Sequence, residues 1–253
     1  MTRRQHGARV RLAEGIVIAP LRRVNPLTSI RPPMRYRDRR EAGQVLAERL
    51  RHFAGRQDVI VLALPRGGVP VAFEVAKAIG ATLDVFMVRK LGLPGHPEFA
   101  MGAIASGGTR ILDNDLLRYY RIPAAAVEQI ARAEEQELER REGAYRGGRP
   151  ALALEDRIVI LVDDGLATGS TMRAAVVAVR RQLPSQIVVA APVGARQACG
   201  ALDQVADEVV CPLTPEPFRA VGLWYQNFEQ TTDEEVRWLL AAAAAQRSMK
   251  RSA

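Results

Sequence analysis

The sequence predicts an α/β domain with a doubly wound, mainly parallel central sheet. Ile158–Val162 is a continuous apolar run, mostly β-branched, of the kind that forms a strand buried on both faces of a parallel sheet. Val59–Leu64 is a second such run. Pro65-Arg66-Gly67-Gly68 breaks it, Val69–Ile79 continues as helix to a stop at Gly80, and Leu83–Val88 reads as strand again. Strand, loop, helix and strand in that order form a βαβ unit, which requires parallel pairing.

Composition sets the outer limits. The chain has 253 residues, 48% of them hydrophobic and 25% charged, the profile of a globular domain with additions. No apolar run reaches the ~18 residues that a membrane span needs. The N-terminus lacks the apolar core of a secretory signal, so a cytoplasmic protein without membrane contact is expected. Cys199 and Cys211 are too few for a disulfide framework or a Cys-rich zinc site. The net charge of +8 is unevenly spread. Residues 1–56 hold 14 arginines against four acids (+10), which leaves 22 basic against 24 acidic residues (−2) in the remainder. A basic front end suits nucleic acid, but a solvated Arg-rich leader has the same composition.

Taken in order, residues 1–34 form a basic N-terminal extension with scattered prolines and at most a short strand at Ile16–Ala19. The domain itself is expected over 35–245, with a tail at 246–253. Asp38 caps a helix reaching Phe53, with Glu41 three residues on. Residues 89–108 are rich in Gly, Pro and charge, and Met101–Ala105 with Thr109–Leu112 reads as a hairpin turning at Gly107-Gly108. A long loop in a compact domain is commonly functional or mobile. Asp113–Tyr120 and Pro123–Arg141 are helical, the latter as a peripheral helix or insertion. Met172–Arg181 is helix, Ile187–Ala191 strand, Arg196–Val205 helix and Glu208–Cys211 a short strand. Pro212–Gln230 is an aromatic loop, and Thr232 caps a closing helix to Ala245.

The chemistry concentrates where the Ile158–Val162 strand ends. Asp163 and Asp164 are adjacent acids at the end of a buried run, a costly placement unless they are satisfied. Gly165 to Thr171 then forms a loop of small and hydroxyl residues opening into a helix. The helix start aims free N–H groups and a positive dipole end at that loop, so an anion belongs there. No lysine follows Gly169, which excludes a Walker A loop, and Gly-x-Gly-x-x-Gly is absent.

Val162-Asp163-Asp164-Gly165-Leu166-Ala167-Thr168-Gly169-Ser170-Thr171 resembles the phosphoribosyl diphosphate (PRPP) motif of type I phosphoribosyltransferases. A looser resemblance runs from about Arg37 to Ala242. It implies Mg²⁺-dependent transfer of a ribosyl 5-phosphate group from PRPP to a nucleobase-like acceptor, with release of pyrophosphate. Asp163 and Asp164 would take the ribose hydroxyls, directly or through a metal. Ala167, Thr168, Gly169, Ser170 and Thr171 would hold the 5-phosphate. Arg66 and Gly67 match the pyrophosphate loop, where a cis Arg66–Gly67 bond is expected, and Arg89 and Lys90 match cations aimed at pyrophosphate. The resemblance further implies a flexible lid hairpin at about 89–110, with His96 and Glu98 as candidates to assist, although a lone His in an exposed loop is ordinarily solvated. It also implies a small C-terminal hood at about 212–230, with Trp224 and Tyr225 either stacking on the base or packing as core. A homodimer is the family's common state.

One departure matters. The hypoxanthine/guanine branch carries an acid before the motif's Thr-Gly, and here that residue is Ala167, which cannot transfer a proton. Adenine and orotate branches also lack the acid. Two rival readings stay open: a regulator of the same fold that senses PRPP or nucleotides and binds nucleic acid through residues 1–34, and a hydrolase or transferase with a different acceptor.

Overall fold

A computed structural model describes residues 35–251, except for the side chains of 97–98 and 247–251. The extension at 1–34, with the strand expected at Ile16–Ala19, lies outside the described residues.

The central sheet has five strands: β1 (Val59–Ala63), β2 (Thr82–Val85), β6 (Ile158–Val162), β7 (Gln186–Ala190) and β8 (Glu208–Val210). They run in the order β2-β1-β6-β7-β8, and every pairing is parallel. Every residue of β1 and β6 is buried, which is why their sequences are continuously apolar.

Alternation divides those residues between two cores. Val59, Val61, Ala63, Ile158, Ile160 and Val162 face α1 (Arg39–Arg49), α2 (Gly68–Ile79), α4 (Ala124–Arg146) and α7 (Asp233–Arg251). Ile60, Leu62, Val159 and Leu161 face α5 (Ser170–Arg180) and α6 (Arg196–Leu202). The sheet is thus doubly wound, as expected. The caps also form: Asp38 Oδ1 accepts from Glu41 N at 2.8 Å, and Thr232 Oγ1 accepts from Glu235 N at 3.1 Å. The closing helix runs on to Arg251 rather than ending at Ala245.

The stretch expected as one strand over Leu83–Val88 belongs to two sheets. β2 ends at Val85, and β3 (Val88–Leu93) opens an antiparallel sheet with β4 (His96–Ala105) and β5 (Thr109–Leu112). The segment expected as a lid is therefore a three-stranded sheet rather than a loop carrying one hairpin. Asp113 caps the short α3 (Asn114–Tyr119) that follows.

Helix α4 is not peripheral. It straps the antiparallel sheet to the body, burying Ala131, Leu138, Glu142, Tyr145 and Arg146. Arg110 of β5 pairs with Glu128 and Glu135 at 2.7 and 2.9 Å, and Arg89 of β3 pairs with Glu134. At the base, Arg146 Nε meets both oxygens of Asp84 at 3.1 Å, and its other nitrogens donate to Glu142 Oε2 and Val85 O at 3.0 Å. Glu142 also holds Ser106 Oγ, which in turn accepts from Met87 N at 2.7 Å. Asp84, Ser106, Glu142 and Arg146 are all buried.

Removing one member of a buried charge network leaves its partners uncompensated, at about 3–5 kcal/mol. Arg146→Met should therefore lower unfolding free energy by about that much in urea titrations. A loss under about 1 kcal/mol would show that the network is not a source of stability.

Candidate active site

The site lies at the carboxyl ends of β1 and β6, the crevice where open α/β sheets bind ligands. Ala63 pairs with Val162, so the two strands end side by side. Leu64 N donates to Val162 O at 2.9 Å, carrying the pairing one residue further. The turn Pro65–Gly68 is thereby pressed against the acid pair. A Cβ on Gly67 would fall 2.0 Å from Asp164 Oδ2, and one on Gly68 would fall 2.7 Å from Val162 O. Only glycine permits this approach. The cis peptide in the turn is Pro65–Arg66, one residue before the expected Arg66–Gly67 bond.

Asp163 and Asp164 leave the strand together. Asp163 Oδ1 accepts from Asp164 N at 2.8 Å. Burial pushes the Asp163 carboxyl well above the usual carboxylate range, and the charge of Asp164 pushes it in the same direction. Burial also raises Asp164, while the Arg39 guanidinium opposes the shift.

The loop expected to hold an anion follows. Leu166 is buried and anchors it: Leu166 N donates to Val193 O at 2.9 Å, and Leu166 O accepts from Ala195 N at 2.8 Å. Ala167, Thr168, Ser170 and Thr171 are exposed. Gly169 has φ +72°, the left-handed conformation that turns the loop into α5. Helix α5 starts at Ser170, ahead of the expected Met172, so free N–H groups sit among the hydroxyls. Thr168 Oγ1 and Ser170 Oγ lie 2.8 Å apart.

The structure thus brings Arg66, Gly67, Asp163, Asp164 and Ala167–Thr171 to one sheet end. Other expected residues lie differently. The Arg66 side chain turns toward α7, 3.7 Å from Asp233 Oδ1. Arg89 is engaged by Glu134 of α4. Lys90 is exposed on the opposite face of β3. His96 is exposed near the β3–β4 turn, its ring 6.3 Å from that of Phe99, and Glu98 lies in β4 with its side chain outside the described ones.

Tyr225 is 2% exposed, and its ring packs against Tyr36 and Phe228 at centroid distances of 5.6 and 4.9 Å. It presents no open face, which fits the core-packing alternative. Its hydroxyl donates to Asp164 O at 2.6 Å, and burial holds that hydroxyl protonated. Trp224 is half-buried in the same aromatic cluster. The hood segment also covers the acid loop directly, because a Cβ on Gly165 would lie 2.4 Å from Val221 Cγ1.

The sequence reading missed Arg39. Its Nε donates to Asp164 Oδ2 at 2.8 Å, its Nη1 donates to Glu229 O at 2.6 Å, and its Cζ sits 3.9 Å over the Phe228 ring. The capping motif at Asp38 located the helix start, but nothing local distinguishes this arginine from the many others.

Among the described residues, no group of three or more His, Cys, Asp or Glu could hold a metal ion. Two adjacent oxygen donors do fit Mg²⁺, which takes one or two carboxylates plus water and substrate phosphates.

Comparison with known proteins shows the family. The phosphoribosyl transferase domain family matches residues 38–223, and the chain belongs to that family. Proteins from two Mycobacterium tuberculosis strains, whose names assign them provisionally to the phosphoribosyl transferases, are 48% identical over 199 residues. That alignment takes in 79% of this chain but 45% of those relatives, so the chain spans about half the length of the curated relatives it matches. The crystal structure of TT1426 from Thermus thermophilus is 45% identical and superposes with a TM-score of 0.73, the match covering 83% of this chain and 99% of that one. No helix among the described residues is long and apolar enough to cross a membrane.

The raised Asp163 carboxyl has a consequence for stability. A carboxyl whose pKa rises on folding favours the folded state below its unfolded pKa, and that contribution is lost as pH climbs through the folded value. Asp163→Asn keeps the bond from Asp164 N and removes the ionisation. It should therefore raise the thermal midpoint at pH 7, with the gain shrinking as pH falls into the ordinary carboxylate range. A midpoint lowered at pH 7 would contradict the assignment.

Proposed function

We propose that this chain is a phosphoribosyltransferase that moves a ribosyl 5-phosphate group from PRPP to a nitrogenous base and releases pyrophosphate. The carrying observation is the meeting, at adjacent parallel strand ends, of an acid pair, a helix-opening hydroxyl loop and a glycine turn packed against the acids. PRPP has ribose hydroxyls, a 5-phosphate and a pyrophosphate, one feature for each of these elements.

Asp163 and Asp164 accept the ribose hydroxyls. The N–H groups and hydroxyls of Ala167–Thr171 hold the 5-phosphate at the positive end of α5. The backbone of Arg66 and Gly67 faces the pyrophosphate, and Lys90 is the remaining cation of β3 for its developing charge. Asp163 and Asp164 would hold Mg²⁺, which would supply charge neutralisation for the departing pyrophosphate. The β3–β5 sheet carries the segment that shields the electron-poor ribosyl carbon from water, with His96 and Glu98 at its outer end. The hood bounds the acceptor space, with Trp224 the remaining stacking candidate.

Ala167 offers no proton-transfer group, which argues against a 6-oxopurine acceptor and leaves the base class open. The reading carries a cytoplasmic setting and a homodimer as further proposals.

Incubation of the full chain with PRPP, Mg²⁺ and a panel of purine and pyrimidine bases should release pyrophosphate in a base-dependent way. Release without any acceptor would mean a hydrolase, and no release would sink the proposal. Asp163→Asn combined with Asp164→Asn should reduce turnover by at least about 100-fold, on the scale of lost charge-assisted contacts. Unchanged turnover would remove the acid pair from the mechanism.

A further inference from the structure

We infer that Arg39 is a positioning residue for the ribosyl donor: it fixes one oxygen of Asp164 and locks the C-terminal hood to the same carboxylate. This rests on the proposed function, and it concerns a residue outside the PRPP motif.

The geometry is specific to an arginine. One edge of the guanidinium meets Asp164 Oδ2 at 2.8 Å, another nitrogen reaches Glu229 O at 2.6 Å, and the face covers Phe228 at 3.9 Å. A planar fork can make all three contacts at once, and a lysine ammonium cannot. The pair is largely sealed, with side-chain exposures of 12% for Arg39 and 15% for Asp164. In such surroundings a charged contact is far stronger than at the surface.

Its neighbours confine it further. A Cβ on Gly67 would lie 2.0 Å from Asp164 Oδ2 and 3.2 Å from Arg39 Nε, so the turn backbone closes over the pair. Asp164 is also held through its carbonyl, which accepts from the Tyr225 hydroxyl at 2.6 Å. Tyr36 N donates to Trp224 O at 2.9 Å, and Gln226 and Asn227 N donate to Tyr36 O and Arg37 O at 2.8 Å. These bonds stitch the start of α1 to the hood and so set where Arg39 projects. The Arg39 bond takes Oδ2 and leaves Asp164 Oδ1 as the oxygen for a ribose hydroxyl. Arg39 therefore acts through Asp164 on ligands with a ribose ring and leaves the phosphate loop alone.

Titration calorimetry on the full chain, with three probes, tests this: PRPP with Mg²⁺, ribose 5-phosphate, and inorganic phosphate. Arg39→Ala should weaken PRPP and ribose 5-phosphate by about 10- to 100-fold, the scale of one hydrogen bond to a charged group. Inorganic phosphate should change by less than about 3-fold, which also shows that the variant is folded. Arg39→Lys keeps the charge without the fork and should recover only part of the loss. Equal weakening of all three probes would reduce Arg39 to a general structural role and overturn the inference, as would unchanged binding of both ribose ligands. If the unmodified chain binds neither ribose ligand, the proposed function itself fails and takes this inference with it.

Discussion

Asp163 and Asp164 emerge from a strand whose every residue is buried, and the surrounding structure is arranged around the cost of placing two carboxylates there. Each neighbouring element reduces it differently. Arg39 supplies a counter-charge to Asp164, the Asp164 N–H serves Asp163, and the Tyr225 hydroxyl engages the Asp164 carbonyl. The Pro65–Gly68 turn excludes water from one side because glycine lets the backbone come into contact. The compensation is incomplete, and Asp163 remains the less satisfied acid. A residual demand for hydroxyl donors or a cation is what a ligand would meet.

Much of this is legible in the amino-acid sequence. Buried parallel strands advertise themselves because both faces need apolar residues, so β1, β6 and β7 stand out as unbroken runs. The acids stood out because they end such a run. The sequence was silent where distant segments decide the outcome. Val88–Leu93 mixes Arg, Lys and Gly with apolar residues, and its pairing with β4 depends on a turn and on α4 rather than on any local pattern. Tyr225 looked available because an aromatic loop has no periodicity to separate inward from outward. Its burial follows from pairing with Tyr36, which lies 189 positions earlier (225 minus 36). Arg39 was invisible for a simpler reason: in a chain with 33 arginines, one more at a helix start carries no signal.

The two cores also differ in what they support. Residues on the α5 and α6 side surround the anion loop's anchor at Leu166, with Met172, Ala198 and Leu202 nearby. Residues on the α2 and α4 side meet the antiparallel sheet through Leu91, Leu93, Met101 and Ile104. That sheet also reaches the α5 side, where Val88 and Ala105 join the other core and Arg181 donates to Arg110 O at 3.3 Å, so it leans on both faces of the central sheet.

The α4 clamp gives the antiparallel sheet the mechanics of a cantilever. Arg89, Ser106 and Arg110 are all fastened near its root, and the Asp84–Arg146–Glu142 cluster joins that root to the edge of the main sheet. Held at this end, the sheet has its Pro94–Gly95 turn farthest from the anchor. A force applied at that turn would bend the sheet along its length rather than rotate it whole, and would reach the body of the domain through α4 and the α5 contact at Arg110.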